Sequence, residues 1–294
     1  MKSSLIVAAS ALALGASMLA PAARAEEDIK LPHEDWSFAG TFGTIKQSSA
    51  QRGFQVYNEV CSACHSMKYM TYRNLAGIGL SEAQIKAIAA SKTVPGDLDD
   101  DGKPTTRPGV PSDHFVSPFP NDKAARSANN GALPPDQSLL LNAREGGADY
   151  IYALVGLGYV DPPPGVKVPD GSYYNTYFPG HNIHMPPPLV DGAVTYADGT
   201  KATVQQEAHD VATFLYFAAN PEATERKHLG VRVVGFLALL TYVTYGVKKK
   251  IWADQHPEEP HKEHPVDKLF AAVLREAKSF WHFIYIDPND GKKG

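Results

Sequence analysis

The chain has 294 residues, a formal charge of -4 and 43% hydrophobic residues, which excludes global disorder. Between Glu26 and Glu225, 24 acidic residues stand against 14 basic ones, which argues against nucleic acid and for a basic partner. Two cysteines cannot build a disulfide framework, and both lie in one pentapeptide, Cys61-Ser62-Ala63-Cys64-His65.

The first 25 residues read as an export signal. Lys2 opens it, an apolar run follows from Leu5 to Ala20, and Ala23-Arg24-Ala25 is an A-x-A cleavage site. The exported domain is expected over 26–226. It begins with an extended arm to about residue 47, and a helix starts near Ser48 or Ser49, either of which can cap it. Phe54, Tyr57 and Val60 then form an apolar stripe leading into Cys61, and Gly53 beside it lets a second helix approach closely.

In the C-x-x-C-H run, each of two thiols three apart can form a thioether to a vinyl group of one haem, with His65 placed as an axial ligand to the iron. A thioredoxin-like pair is disfavoured because no βαβ pattern surrounds it. A zinc site is disfavoured because further cysteines are lacking.

Beyond the motif, Met67, Met70, Tyr72 and Leu75 continue in a compact helix or turn, and a helix over Ser81–Ala90 takes Ser81 as its cap. Residues 94–135 are loop-rich, and loops of such length are usually functional or pinned by a ligand. Asp97-Leu98-Asp99-Asp100-Asp101-Gly102 matches the first half of a calcium loop, but Pro108 stands at the twelfth position, which favours a solvated acidic surface loop. Helices are expected over Asp136–Ala143 and Ala148–Leu157, the second stopped by Gly158 and the prolines at 162–164. Residues 165–200 read as loop with short strands. A last soluble helix, about 204–220, carries Val204, Ala208, Val211, Ala212 and Leu215 on one face as a mate for the Phe54/Tyr57 stripe.

Residues 229–247 hold one charge, Arg232, and as a helix span about 28 Å, which predicts a single transmembrane segment. The basic residues flanking it are balanced, so the export signal sets the orientation and places the tail, 248–294, in the cytoplasm. Within that tail, apolar positions recur at helical spacing over about 266–284, predicting an amphipathic helix.

A c-type haem needs a second axial ligand or leaves an open iron. Met67 and Met70 are too close to His65 to reach the far face. Met185, in the Pro-rich stretch His181-Asn182-Ile183-His184-Met185-Pro186-Pro187-Pro188, is the preferred ligand, with His114, His181, His184 and His209 as alternatives. Two filled axial positions favour an electron carrier over a haem peroxidase.

The order of motifs now becomes informative: C-x-x-C-H, then Ala-Asn-Asn-Gly-Ala-Leu-Pro-Pro-Asp at 128–136, Arg-Glu-Gly-Gly-Ala-Asp-Tyr at 144–150, Met-Pro-Pro at 185–187, and one C-terminal membrane helix. This order resembles the cytochrome c1 family, the haem c subunit of the cytochrome bc1 complex. The resemblance implies a mainly α, cytochrome c-like haem domain with long loop insertions. It implies covalent haem at Cys61 and Cys64, iron ligation by His65 and Met185, and a haem pocket holding Asn129, Leu133, Pro135, Arg144 and Tyr150. It also implies a dimeric membrane complex with cytochrome b and the Rieske iron–sulfur protein, and electron delivery to a soluble basic cytochrome c. A free membrane-anchored shuttle is the alternative.

Overall fold

The computed structural model describes residues 29–255 together with Lys268, Ala272 and Arg275. The export signal therefore lies outside the described residues. So does the amphipathic tail helix apart from those three positions, each of them helical.

The chain enters through an arm without helix or strand, and helix α1 follows over Gln47–Glu59. No side chain caps it, contrary to the expected serine cap. Ser49 is turned inward instead, and its hydroxyl donates to Asp210 at 2.5 Å. A 3-10 turn, Cys61–Ala63, succeeds α1, and a second one, Tyr72–Ile78, buries Tyr72, Leu75 and Ile78. Helix α2, Glu82–Ala90, begins at Ser81 with a reciprocal capping box to Gln84.

The region read as one long loop contains regular structure. Strands β1 (Thr93–Leu98) and β2 (Pro104–Pro108) pair antiparallel, and helix α3 (Asp122–Ala128) is capped by Asn121. The acidic run forms the hairpin's turn. There Asp99 accepts from the backbone N–H of Asp101 and Lys103 at 3.0 and 2.8 Å, and Gly102 takes the positive φ that the turn requires.

A second correction concerns 136–143, where only Leu140–Ala143 is helical, as a 3-10 turn. Tertiary bonds hold the preceding residues out of a helix. The Asp136 carboxylate accepts from Ser66 Oγ and from the N–H groups of Lys68 and Ser138, while Gln137 N–H donates to the Ser66 carbonyl. Helix α4, Gly147–Tyr152, runs on into a π-turn over Ala153–Leu157. Two short strands, β3 (Tyr173–Tyr174) and β4 (Asn182–Ile183), pair antiparallel. Helix α5, Val204–Ala219, begins with Thr203 accepting from Gln206 N–H.

The core centres on α1 against α5. Gly53 makes their close approach possible, because a Cβ there would meet the Asp210 carbonyl and lie 2.8 Å from Phe214 Cβ. Phe54 and Tyr57 pack on Phe214 at ring-centroid distances of 5.5 and 5.7 Å. Each such buried side chain contributes about 1.5–3 kcal/mol, with roughly 0.5–1.5 more per aromatic pair. The seam also holds a buried polar cluster around Asp210, which is 0% exposed. Its carboxylate accepts from Ser49, from Arg52 Nε at 2.7 Å and from Gln206 Nε2 at 2.9 Å. The arm covers the other side of α5, with Trp36 stacked on His209 and Phe38 on Tyr216.

Helix α6 spans Ala223–Gln255, longer than the apolar stretch 229–247 because Glu225, Arg226 and the lysines at 248–250 also favour helix. Ala223–Trp252 is long and apolar enough to cross a membrane. Its large side chains lie open, Val234 at 67% and Phe236 at 63% exposure, whereas the core helix of a soluble protein would bury them.

Candidate functional site

The 3-10 turn after α1 shapes the first part of the site. Side chains at i and i+3 eclipse in such a turn, so Cys61 and Cys64 fall on one side of it. His65 N–H donates to the Cys61 carbonyl at 2.9 Å, which carries the imidazole onto the same turn. The two thiols are unbridged. Burial pushes the Cys61 thiol up to about 12, so in the unmodified chain it stays protonated.

His65 Nδ1 lies 2.8 Å from the Pro135 carbonyl. A carbonyl only accepts, so Nδ1 carries the proton and Nε2 keeps its lone pair. Burial lowers the imidazole's pKa, opposed more weakly by that hydrogen bond and by Asp136. The ring is therefore neutral at pH 7 and its free nitrogen is a metal donor. Asp136 fastens the 66–68 segment to 135–138. Although burial pushes its carboxyl up, the hydrogen bonds from Ser138, Lys68 N–H and Ser66 prevail and leave it below the usual carboxylate range.

A cavity of about 390 Å³ opens beside this turn, within the range of small-molecule and cofactor sites. Cys61, Cys64, His65, Asn129, Leu133, Pro135, Arg144, Tyr150 and Met185 all line it. They arrive from separate elements. Asn129 is the C-cap residue of α3, its side chain donating to the Ala125 carbonyl at 2.7 Å. Asn130 and Gly131, both with positive φ, turn the chain into the Leu133–Pro135 wall. Tyr150 is buried on α4, and burial raises its phenol pKa against the opposing influence of Arg144. Arg144 is exposed and donates to the Ala143 carbonyl.

Met185 follows β4 by two residues and is half-buried against the core. Of the alternative histidines, His184 also lines the cavity, but it is exposed, with Nδ1 3.2 Å from the Gly171 carbonyl. His114 bridges to Thr71, the His181 ring lies against the Asn175 carbonyl, and His209 stacks on Trp36.

Sequence reading missed part of the wall. Ile151, Leu154, Val211 and Leu215 complete it from α4, the π-turn and α5. Helical periodicity marks these as apolar but cannot separate a cavity wall from core. Gln137 was also missed. It is buried in this wall, and its amide oxygen has no hydrogen-bond partner. An apolar enclosure with a sparse polar set, two thiols on one turn and both nitrogen and thioether donors fits a haem. Among the described residues, no group of three or more His, Cys, Asp or Glu is arranged to hold a metal ion.

A C-x-x-C-H turn opening onto such a cavity, on a helical scaffold, defines a c-type cytochrome. More particularly, the chain belongs to the cytochrome C1 family, whose model matches residues 36–255. It is 48% identical over 270 residues to the cytochrome c1 of Rhodospirillum rubrum, covering 86% of this chain and 97% of that one. It is 46% identical to the cytochrome b/c1 of Bradyrhizobium diazoefficiens, covering 85% of this chain but 39% of that longer protein. It is 45% identical to the cytochrome b-c1 complex catalytic subunit of Candida albicans, covering 78% and 79% of the two chains.

Proposed function

We propose that this chain is the haem c-carrying electron-transfer subunit of a bacterial cytochrome bc1 complex. In this reading it takes an electron from the Rieske iron–sulfur protein and passes it to a soluble, basic c-type cytochrome. One observation carries the reading: the residues picked out by haem chemistry and by the family motifs line a single cavity in a chain of the cytochrome c1 family.

A haem held there supplies one-electron iron(III)/iron(II) chemistry. Cys61 and Cys64 would hold it covalently, as thioethers to its two vinyl groups. Neutral thioethers suit the burial that keeps Cys61 protonated. His65, its tautomer held by Pro135, would offer Nε2 to the iron, and Met185 would offer its thioether. With both donors held there, the site would suit electron carriage rather than bond chemistry on a substrate. Arg144, Asn129 and Tyr150 would hold the carboxylate edge, where a guanidinium offers a two-pronged, charge-assisted partner.

In this reading the haem domain lies in the periplasm, anchored by one helix in the bacterial inner membrane with a cytoplasmic C-terminus, as the export signal and the apolar stretch Leu229–Val247 support. Cytochrome b and the Rieske protein are the fixed partners in a dimeric complex. Names of relatives, which include a cytochrome b/c1 and a b-c1 complex subunit, support this assignment.

Washed membranes carrying the chain should show a c-type reduced-minus-oxidised spectrum, and the solubilised protein should co-purify with cytochrome b and the Rieske protein. A monohaem protein that always purifies alone would instead be a free membrane-tethered shuttle.

A further inference from the structure

Met185 is followed by Pro186, Pro187 and Pro188, none of which has a backbone N–H. The Met185 carbonyl therefore has no donor among the residues just after it, and the proline at 186 restricts Met185 to extended backbone. The donor comes from elsewhere in the fold. Tyr159 Oη–H donates to the Met185 carbonyl at 2.9 Å.

Tyr159 is itself built into position. The π-turn Ala153–Leu157 ends at Gly158, and a Cβ on Gly158 would run into the Asn175 amide. Asn175 is fully buried, and its Nδ2 donates to the Leu154 carbonyl at 2.8 Å. Its backbone bridges to Tyr159. Thr176 N–H donates to the Gly158 carbonyl at 2.9 Å, and Asn175 N–H donates to the His181 carbonyl at 2.9 Å. The ring of contacts thus runs from the cavity wall at Leu154, through Asn175, to the β3–β4 hairpin that delivers Met185. A phenol hydroxyl is a donor throughout the neutral range.

We infer that Tyr159 is a positioning residue for the axial thioether: its hydroxyl and Pro186 together fix the Met185 backbone from two sides. This rests on Met185 being the sixth ligand. Tyr159 touches no iron; it acts through the peptide it holds, removing conformations in which the thioether swings away.

The test uses full-length holoprotein in its membrane complex, titrated with imidazole in the ferric state while the weak methionine–iron charge-transfer band is followed. Imidazole competes with the thioether, so weaker thioether binding appears as tighter imidazole binding. Tyr159→Phe keeps the ring and loses the donor. It should bind imidazole about tenfold more tightly, the scale of one such hydrogen bond, and weaken the band.

Met185→Leu, measured alongside, should abolish the band. If Met185→Leu abolishes it while Tyr159→Phe matches the wild type in imidazole affinity and band, the positioning role is wrong although the ligand assignment stands. If Met185→Leu leaves band and affinity unchanged, the ligand assignment itself fails and takes this inference with it. Should Tyr159→Phe not accumulate as holoprotein, Pro186→Ala loosens the same backbone from its other side. It should also tighten imidazole binding, and an unchanged affinity would overturn the inference.

Discussion

Replacing Gly53 by alanine tests the helix seam on which the site is built. In an exposed helix the change should stabilise by roughly 0.5–1 kcal/mol, because glycine is the poorer helix former. Here the new Cβ would sit 2.8 Å from Phe214 Cβ and against the Asp210 carbonyl. Ordinary carbon contacts are about 3.5–4.0 Å, so α1 and α5 must part by the better part of an ångström. A gap of about 0.5–1 Å forfeits a quarter to a half of the dispersion energy of each contact along the seam. Overpacking of this kind typically costs about 1–3 kcal/mol, which outweighs the propensity gain. The net effect should be a loss of about 1–2 kcal/mol, lowering Tm by about 2–8 °C for a domain of this size. Because α5 carries Val211 and Leu215 in the cavity wall, the loss should also appear in the haem spectrum. Thermal melts of the holoprotein, followed by haem absorbance and by far-ultraviolet dichroism, measure both. A Tm equal to or above wild type would refute the close approach, since propensity alone predicts that sign.

Asp210→Ala should cost about 1–3 kcal/mol in the same melts, because it leaves the buried Ser49 hydroxyl without its acceptor and takes from Arg52 one of its two carboxylates, Asp198 remaining. Asp210's carboxyl is held below its ordinary range by His209, Arg52, Ser49 and Gln206 despite the opposing effect of burial. Its contribution is therefore present above the unfolded value of about 3.9 and is lost as pH falls through the lowered folded value. Asp210→Asn should flatten the acid limb of stability against pH. Glu207 has the opposite sign. Burial, with Asp191 adding to it, raises its carboxyl despite hydrogen bonds from Val194 and Ala193 N–H. Wild-type stability should include a component that declines as pH rises from about 4.3 through the raised folded value, and Glu207→Gln should remove that decline in paired melts across pH.

Local chemistry was legible wherever a residue's partner lies within a few positions. Ser81 caps α2 and is bonded to Gln84 three residues on, so the start of that helix could be read directly. The same logic failed at Ser49 and at 136–139. Asp210 lies 161 residues beyond Ser49, and Asp136 reaches back about 70 residues to Ser66 and Lys68. Those hydrogen bonds outcompete a serine cap and a helix that propensity alone would have favoured. The hairpin and α3 within 94–135 went unread because the Pro and Gly that mark turns also mask short elements between them.

By itself the sequence determined the chemical inventory of this protein: two thiols and an imidazole in one pentapeptide, a lone thioether far downstream, and a stretch at 229–247 apolar enough for a membrane. These are covalent and compositional facts, readable without a fold. Tertiary structure alone decided how the inventory becomes a site. It closed Gly53 against α5, faced His65 Nδ1 to a carbonyl so that Nε2 is the free donor, and brought Tyr159 to a peptide that its proline neighbours leave without a local donor. The reason is that hydrogen bonding and packing act between atoms close in space, and none of these partners is close in sequence.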